Sequence, residues 1–307
     1  MEWTIGRIPD QRGKLAVVTG GNGGLGLETV RALADAGASV IMAARNQAKA
    51  VAARQEILQA EPDGSVSVAE LDLASLGSIG RFVDGFELPR LDVLINNAGV
   101  MGTPERTTDD GFELQIGTNH LGHFALTAGL MPALLGAKNG RVVSVSSFAR
   151  LYRGRGWKRG VGPYDTWREY GRSKMANLLF ARELDRRLRS TPATLQSLAA
   201  HPGFTHTDLQ ARSVREAGGL SQKFFHAAVQ RFGMTPREGV ASILRAATDP
   251  QAVGGEFYGP RWFTFGEPAR KRFTLGHESE ARRLWDVSEE MTGVAFDVAV
   301  LVEAGGD

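Results

Sequence analysis

Short apolar runs alternate along the chain with longer stretches whose apolar residues recur every three to four positions. Leu15 to Thr19, Val40 to Ala44, Val66 to Leu71, Leu91 to Ile95, Arg141 to Val145 and Leu195 to Ala199 are strand-like in length and bounded by turn residues. Between the first two, Leu25 to Ala36 reads as an amphipathic helix stopped by Gly37, a residue type favoured just past a helix end. Asn46 offers its side-chain oxygen as an N-cap for a helix reaching to about Ala60, which Pro62 and Gly64 end. Strands and helices in this alternation predict βαβ units, a parallel sheet and right-handed crossovers. A last short strand falls within Gly254 to Pro260. The expectation is one α/β domain over residues 1–307, a doubly wound sheet of seven mostly parallel strands with helices on both faces. Its core spans about 13–260, and 261–307 form a C-terminal extension ending in a frayed Glu303 to Asp307.

Composition narrows the function classes more than the fold. Of 307 residues 42% are hydrophobic and 23% charged, which supports a packed core rather than disorder. The formal charge is only +2, so no global field invites nucleic acid, and none is expected as a partner. Cysteine is absent, which excludes a disulfide scaffold, a thiol nucleophile and any Cys-based metal site, and suits a reducing compartment. The start, Met1 to Arg7, lacks the apolar core of a signal peptide, and the apolar runs fall far short of the ~20 residues that span a bilayer. A cytoplasmic protein without a membrane partner is therefore expected. His120, His123, His201, His206, His226 and His277 form no ligand set, so no metal is expected.

The first strand runs directly into Gly20-Gly21-Asn22-Gly23-Gly24-Leu25-Gly26 and then a helix. Glycines there let the backbone turn sharply and approach a pyrophosphate, and the N–H groups of a helix start attract the anion. Gly20, Asn22, Gly24, Leu25 and Gly26 are thus candidates for holding a dinucleotide. The second strand ends at Ala44-Arg45, where an NAD site would carry Asp or Glu for the ribose 2′-hydroxyl. A guanidinium matches a 2′-phosphate, so Arg45 favours NADP over NAD; its plainer reading is a solvated charge at a strand end.

Tyr170 and Lys174 stand four apart on a predicted helix and so share one face. An ammonium near a phenol stabilises the phenolate and is expected to lower its pKa toward the working range. Such a phenol gives a proton to a carbonyl oxygen as hydride arrives, or takes one from an alcohol as hydride leaves. Ser147, at a strand end, is placed to hydrogen-bond the same oxygen, with Ser146 as its competitor.

Thr19-Gly20-x-x-x-Gly24-x-Gly26, Asn96-Asn97-Ala98-Gly99, Ser146-Ser147 and Tyr170-Gly171-Arg172-Ser173-Lys174 together resemble the short-chain dehydrogenase/reductase family, over about residues 13–260. Trp167 to Asn177 and His201 to Thr207 are similar to its retinol-dehydrogenase-like and protochlorophyllide-reductase-like branch. The resemblance implies a Rossmann-like fold and catalytic roles for Ser147, Tyr170 and Lys174. It also implies that Asn119 joins a water-linked proton relay through Lys174. In the same way Asp72 and Leu73 are implied at the adenine, and Asn97, Ala98 and Gly99 beneath the adenosine. Pro202, Gly203, Thr205 and Thr207 are implied beside the nicotinamide and phosphates. The implied activity is NADP(H)-dependent interconversion of a small, mainly apolar carbonyl compound and its alcohol. The alternatives are a non-catalytic NADP sensor or scaffold, and an epimerase or dehydratase using bound cofactor.

Two stretches depart from the plain pattern. The spacing from Ser147 to Tyr170 is longer than in shorter family members. Its insert, Phe148 to Trp167, interleaves Arg150, Arg153, Arg155, Lys158 and Arg159 with aromatics. A solvated loop is the preferred reading over a rim for anionic substrates or an RNA-binding arm. Farther on, Leu220, Phe224, Phe225, Ala228, Val229 and Phe232 fall at helical spacing, either as an apolar lid or as packing on the core or a partner subunit of a homo-oligomer.

Overall fold

The computed structural model describes residues 2–152, 163–205, 233–271 and 277–304. Seven strands appear close to the expected places: β1 (Leu15–Thr19), β2 (Ser39–Ala44), β3 (Ser65–Glu70), β4 (Val93–Asn96), β5 (Arg141–Val145), β6 (Gln196–Ala200) and β7 (Phe257–Pro260). An eighth, β8 (Pro268–Lys271), lies in the extension, pairs antiparallel with β7 and corrects the expected count of seven. Its four residues sit just beyond a tight return of the chain, where no apolar alternation announces a strand. The order β3-β2-β1-β4-β5-β6-β7-β8 reverses direction between β1 and β4, the crevice where open parallel sheets bind ligands.

Side chains of a strand point alternately to the two faces, and here each face has its own core. Ala16 and Val18 of β1 join Val40, Met42, Val143 and Val145 on one side, while Val17 joins Val142 and Leu94 on the other. The first face is covered by α1 (Gly24–Asp35), α2 (Gln47–Leu58) and, after the short α8 (Pro236–Gly239), α9 (Ala241–Thr248). Asn46 caps α2 as expected, its Oδ1 accepting the Lys49 N–H at 2.9 Å.

The opposite face carries α3 (Leu76–Asp84), α4 (Leu114–Ile116), α5 (Gly122–Gly129), α6 (Met131–Leu135) and α7 (Thr166–Leu188). A π-helical turn, Gly117–Leu121, joins α4 to α5. The extension adds α10 (Glu278–Thr292) and α11 (Val298–Ala304). It also supplies core: Trp285 and Phe296 are buried against Phe124, with ring centroids 5.2 and 5.4 Å away. No helix among the described residues is long and apolar enough to cross a membrane.

Candidate active site

The carboxyl ends of β1, β2, β4, β5 and β6 open onto one cleft of about 870 Å³. At one end, Gly23, Gly24, Leu25 and Gly26 present the start of α1, whose first N–H groups have no partner within the helix. Gly20 turns with φ +64°, and a Cβ on Gly26 would stand 2.2 Å from the Gly20 carbonyl oxygen, so only glycine closes this turn. The turn is pinned from beneath. Thr19 Oγ1 accepts the N–H groups of Asn97 and Ala98, each at 2.9 Å, and Asn97 Nδ2 donates to the Thr19 carbonyl at 2.8 Å. Asn97, Ala98 and Gly99 line the cleft as expected, but the Asn97 side chain braces the glycine turn.

Arg45, Asp72 and Leu73 also reach the cleft. Arg45 Nη1 stands 3.5 Å from Asp72 Oδ2, both partly open to solvent. Asp72 is a turn residue as well, its Oδ1 accepting the Ala74 N–H at 3.0 Å. Asn22 lies beside them, with Nδ2 3.5 Å from the Asn46 carbonyl. The chemistry of this donor set, helix N–H groups at one point and a guanidinium at a strand end, fits a phosphorylated dinucleotide.

At the other end β5 and α7 bring Ser147, Tyr170 and Lys174 to one wall. The two serines separate by role. Ser146 Oγ donates to the Lys174 carbonyl at 2.7 Å, tying strand to helix, while Ser147 Oγ accepts the Ala149 N–H at 3.2 Å and faces the cleft with Tyr170. Lys174 Nζ donates to the Val145 carbonyl at 3.1 Å and lies 5.9 Å from the centre of the Tyr170 ring. Burial draws the Lys174 ammonium down to about 8 and pushes the Tyr170 phenol up to about 12, with the Ser147 hydroxyl opposing the latter. The expected lowering of the phenol is therefore reversed: the ammonium is directed at a backbone carbonyl, and burial dominates.

Asn119 sits in the π-helical turn, fully buried. Its Oδ1 accepts the Val100 N–H at 2.7 Å, and its Nδ2 donates to the Val100 carbonyl and to Ser173 Oγ, both at 2.9 Å. The side chain is spent on bracing, which leaves the main-chain carbonyl as its group for any relay. Pro202, Gly203 and Thr205 line the cleft below β6, with Gly203 at φ +74° and Thr205 Oγ1 donating to the Pro202 carbonyl at 2.9 Å. Thr207 lies outside the described residues, as do Arg153 to Arg159 of the basic insert and Leu220 to Phe232 of the apolar stretch.

The described ends of the insert are mixed: Leu151 and Tyr152 are exposed, whereas Arg150 and Tyr164 are tied into the protein. Arg150 is buried, and its Nη1 donates to the Ser147 carbonyl at 3.0 Å while the guanidinium lies 4.8 Å over the Phe257 ring. Tyr164 donates to Glu113 Oε1 and accepts from Gln115 Nε2, both at 2.9 Å. Gln115 Nε2 also donates to the Thr166 carbonyl, and its Oε1 holds the Gly102 N–H at 2.9 Å. These residues brace the end of the cleft beside Tyr170, whose walls include Val100, Met101, Leu114, Phe148, Trp167 and Phe204. Sequence reasoning missed Gln115 and misread Arg150, because neither belongs to a motif: Gln115 acts through backbone distant in sequence, and Arg150 is buried against the Phe257 ring.

The family model of the short chain dehydrogenases matches residues 14–218. Retinol dehydrogenase 14 of Mus musculus is 41% identical over 301 residues, covering 92% of this chain and 86% of the relative. Retinol dehydrogenase 11 of Homo sapiens is 38% identical over 290 residues, covering 93% and 87%. The solved structure of an uncharacterised protein from Mycobacterium paratuberculosis is similar at a TM-score of 0.75 and 40% identity, over 96% of this chain and 99% of that one. A structure from Beutenbergia cavernae, described as an NAD(P)-dependent gluconate 5-dehydrogenase with bound NADP, matches at a TM-score of 0.64. It is 22% identical over 82% of this chain and 96% of that one, and carries the fold alone.

Proposed function

The chain belongs to the short-chain dehydrogenase/reductase family, in its retinol-dehydrogenase-like branch, and from this we propose that it reduces apolar aldehydes or ketones with NADPH. Membership makes it a carbonyl/alcohol oxidoreductase with a nicotinamide cofactor and a small-molecule substrate. The observation that carries the finer reading is the convergence of Ser147, Tyr170 and Lys174 on the apolar end of a cleft whose far end holds Arg45.

In this reading the glycine turn and α1 hold the pyrophosphate, and Arg45 holds the 2′-phosphate. Asp72 and Leu73 face the adenine, Asn97 to Gly99 support the adenosine, and Pro202 to Thr205 meet the nicotinamide. When bound, the nicotinamide supplies the hydride that reaches the carbonyl carbon. Tyr170 gives the proton to the carbonyl oxygen, and Ser147 donates a hydrogen bond to that oxygen as charge develops. The buried phenol, pushed up to about 12, is protonated at neutral pH, the state from which it donates. Lys174, with an ammonium near 8, returns a proton to the phenolate and is itself resupplied by water held at the Asn119 carbonyl.

The test is NADPH and NADH oxidation across a panel of aldehydes and ketones; the names of the relatives put retinal in it. Alcohol formed with matching NADPH loss supports the reading. Tight NADPH binding without turnover points instead to a sensor, and product without net cofactor loss to an epimerase or dehydratase.

A further inference from the structure

Between the nucleotide turn and the catalytic turn lies a buried imidazole to which the reading above gives no task. We propose that His123 is a positioning residue that couples Thr19 of the glycine turn to the Asn119 carbonyl of the proton relay. The ring is 2% exposed, with Nδ1 2.9 Å from the Asn119 carbonyl oxygen and Nε2 2.9 Å from Thr19 Oγ1. A carbonyl only accepts, so Nδ1 carries the proton and Nε2 is bare. Thr19 Oγ1 already accepts two N–H groups, from Asn97 and Ala98, so its own hydrogen goes to Nε2. The other acceptor for that hydrogen, the Ile95 carbonyl, is farther away at 3.3 Å. Every donor and acceptor is then used once. The reverse tautomer would set a lone pair against the Asn119 carbonyl and aim an N–H at an oxygen whose two lone pairs are filled.

The link continues beyond Asn119. Its Nδ2 donates to Ser173 Oγ at 2.9 Å, and that hydroxyl donates to the Tyr170 carbonyl at 2.8 Å. An unbroken run of hydrogen bonds thus joins the floor of the nucleotide end to the helix that carries Tyr170 and Lys174. The π-helical turn makes this geometry available, because its wider bonding takes Asn119 out of the regular α ladder. Small displacements between hydride and proton partners are costly in rate, so a rigid tie between their two supports has a direct use.

The inference rests on the proposed roles of Asn119, Tyr170 and Lys174, and its test separates the two. Asn at position 123 keeps a donor where Nδ1 stood; Gln keeps an acceptor where Nε2 stood. In the full chain, His123→Phe should lower kcat about tenfold, the size of one hydrogen bond of ~1.4 kcal/mol, and weaken NADPH binding several-fold. His123→Asn should recover kcat and not NADPH affinity; His123→Gln should recover affinity and not kcat. Independently of turnover, 15N NMR of wild-type imidazoles, with His123 assigned by its loss in His123→Gln, should show a neutral Nδ1–H ring. That ring should shift in Thr19→Val and stay unchanged in Thr19→Ser. An Nε2–H or cationic ring, or Asn and Gln variants that lose both properties alike, overturns the coupling. A wild type that reduces no carbonyl yet shows the Nδ1–H ring and its Thr19 dependence refutes the proposed reaction and leaves the tie standing.

Discussion

The two ends of the cleft are built in different ways. The nucleotide end is made of short segments, Thr19 to Gly26, Arg45 and Asn97 to Gly99, at or just beyond strand ends; its glycine turn is fixed by glycine geometry and by bonds between the Thr19 and Asn97 side chains and nearby main chain. The substrate end gathers side chains from residues 100–103, 114–118, 147–152, 164–170 and 202–205, braced by Gln115 across to the Thr166 carbonyl and by Arg150 between the Ser147 carbonyl and the Phe257 ring. The first end tolerates little change because Gly26 packs directly on the Gly20 carbonyl and the turn is pinned by the Thr19 hydroxyl and the Asn97 amide. The second distributes its support, so single changes there should act on rate or specificity and leave cofactor binding alone.

Of the changes that set one end against the other, Gly26→Ala has the largest expected effect. Its Cβ would collide with the Gly20 carbonyl, and overpacking of this kind costs ~1–3 kcal/mol, or about 5- to 150-fold in NADPH affinity if the strain falls on the turn. Titration of NADPH by fluorescence checks it; wild-type affinity would mean that the turn is slack. Arg150→Met at the substrate end should lower kcat about tenfold, by releasing the Ser147 carbonyl, with NADPH affinity unchanged. An equal loss of both would erase the contrast between the ends.

Arg45→Asp should swing the NADPH-to-NADH ratio of kcat/KM by about tenfold, the low end for a charge-assisted hydrogen bond because Arg45 is solvent-exposed. An unchanged ratio would remove Arg45 from the 2′-phosphate. The smallest effect at assay pH is electrostatic. Burial holds His120 and His201 at about 3 and His123 at about 4, below the ordinary 6.5. Above pH 6.5 these rings are neutral in folded and unfolded chains alike. As pH falls from 6.5 toward 4, only the unfolded chain takes up protons, so stability is lost across that window. Thermal unfolding followed against pH should show Tm falling there; a flat Tm would mean that the rings are not held neutral.

The difference between the ends also explains what the sequence made legible. The strand–glycine–helix turn, the Asn46 cap and the Tyr170–Lys174 spacing are local patterns, and each appears in the structure where it was expected. Arg150 and Gln115 were not recoverable, because their partners, the Ser147 and Thr166 carbonyls and the Gly102 N–H, are main-chain atoms that any residue supplies. β8 escaped for a related reason: a four-residue edge strand has only its pairing with β7 to define it. The direction of the Tyr170 shift depended on burial, which residue spacing does not reveal. Nothing local to Trp285 and Phe296 in the extension announces their packing against Phe124.

The most direct test of the central claim follows deuterium from NADPH labelled at the nicotinamide C4 into an apolar aldehyde, comparing the wild type with Tyr170→Phe. The account predicts label at the carbonyl carbon of the wild-type product, and in the variant a kcat about 100- to 10,000-fold lower with NADPH affinity retained. A Tyr170→Phe enzyme that transfers the label at the wild-type rate would contradict it.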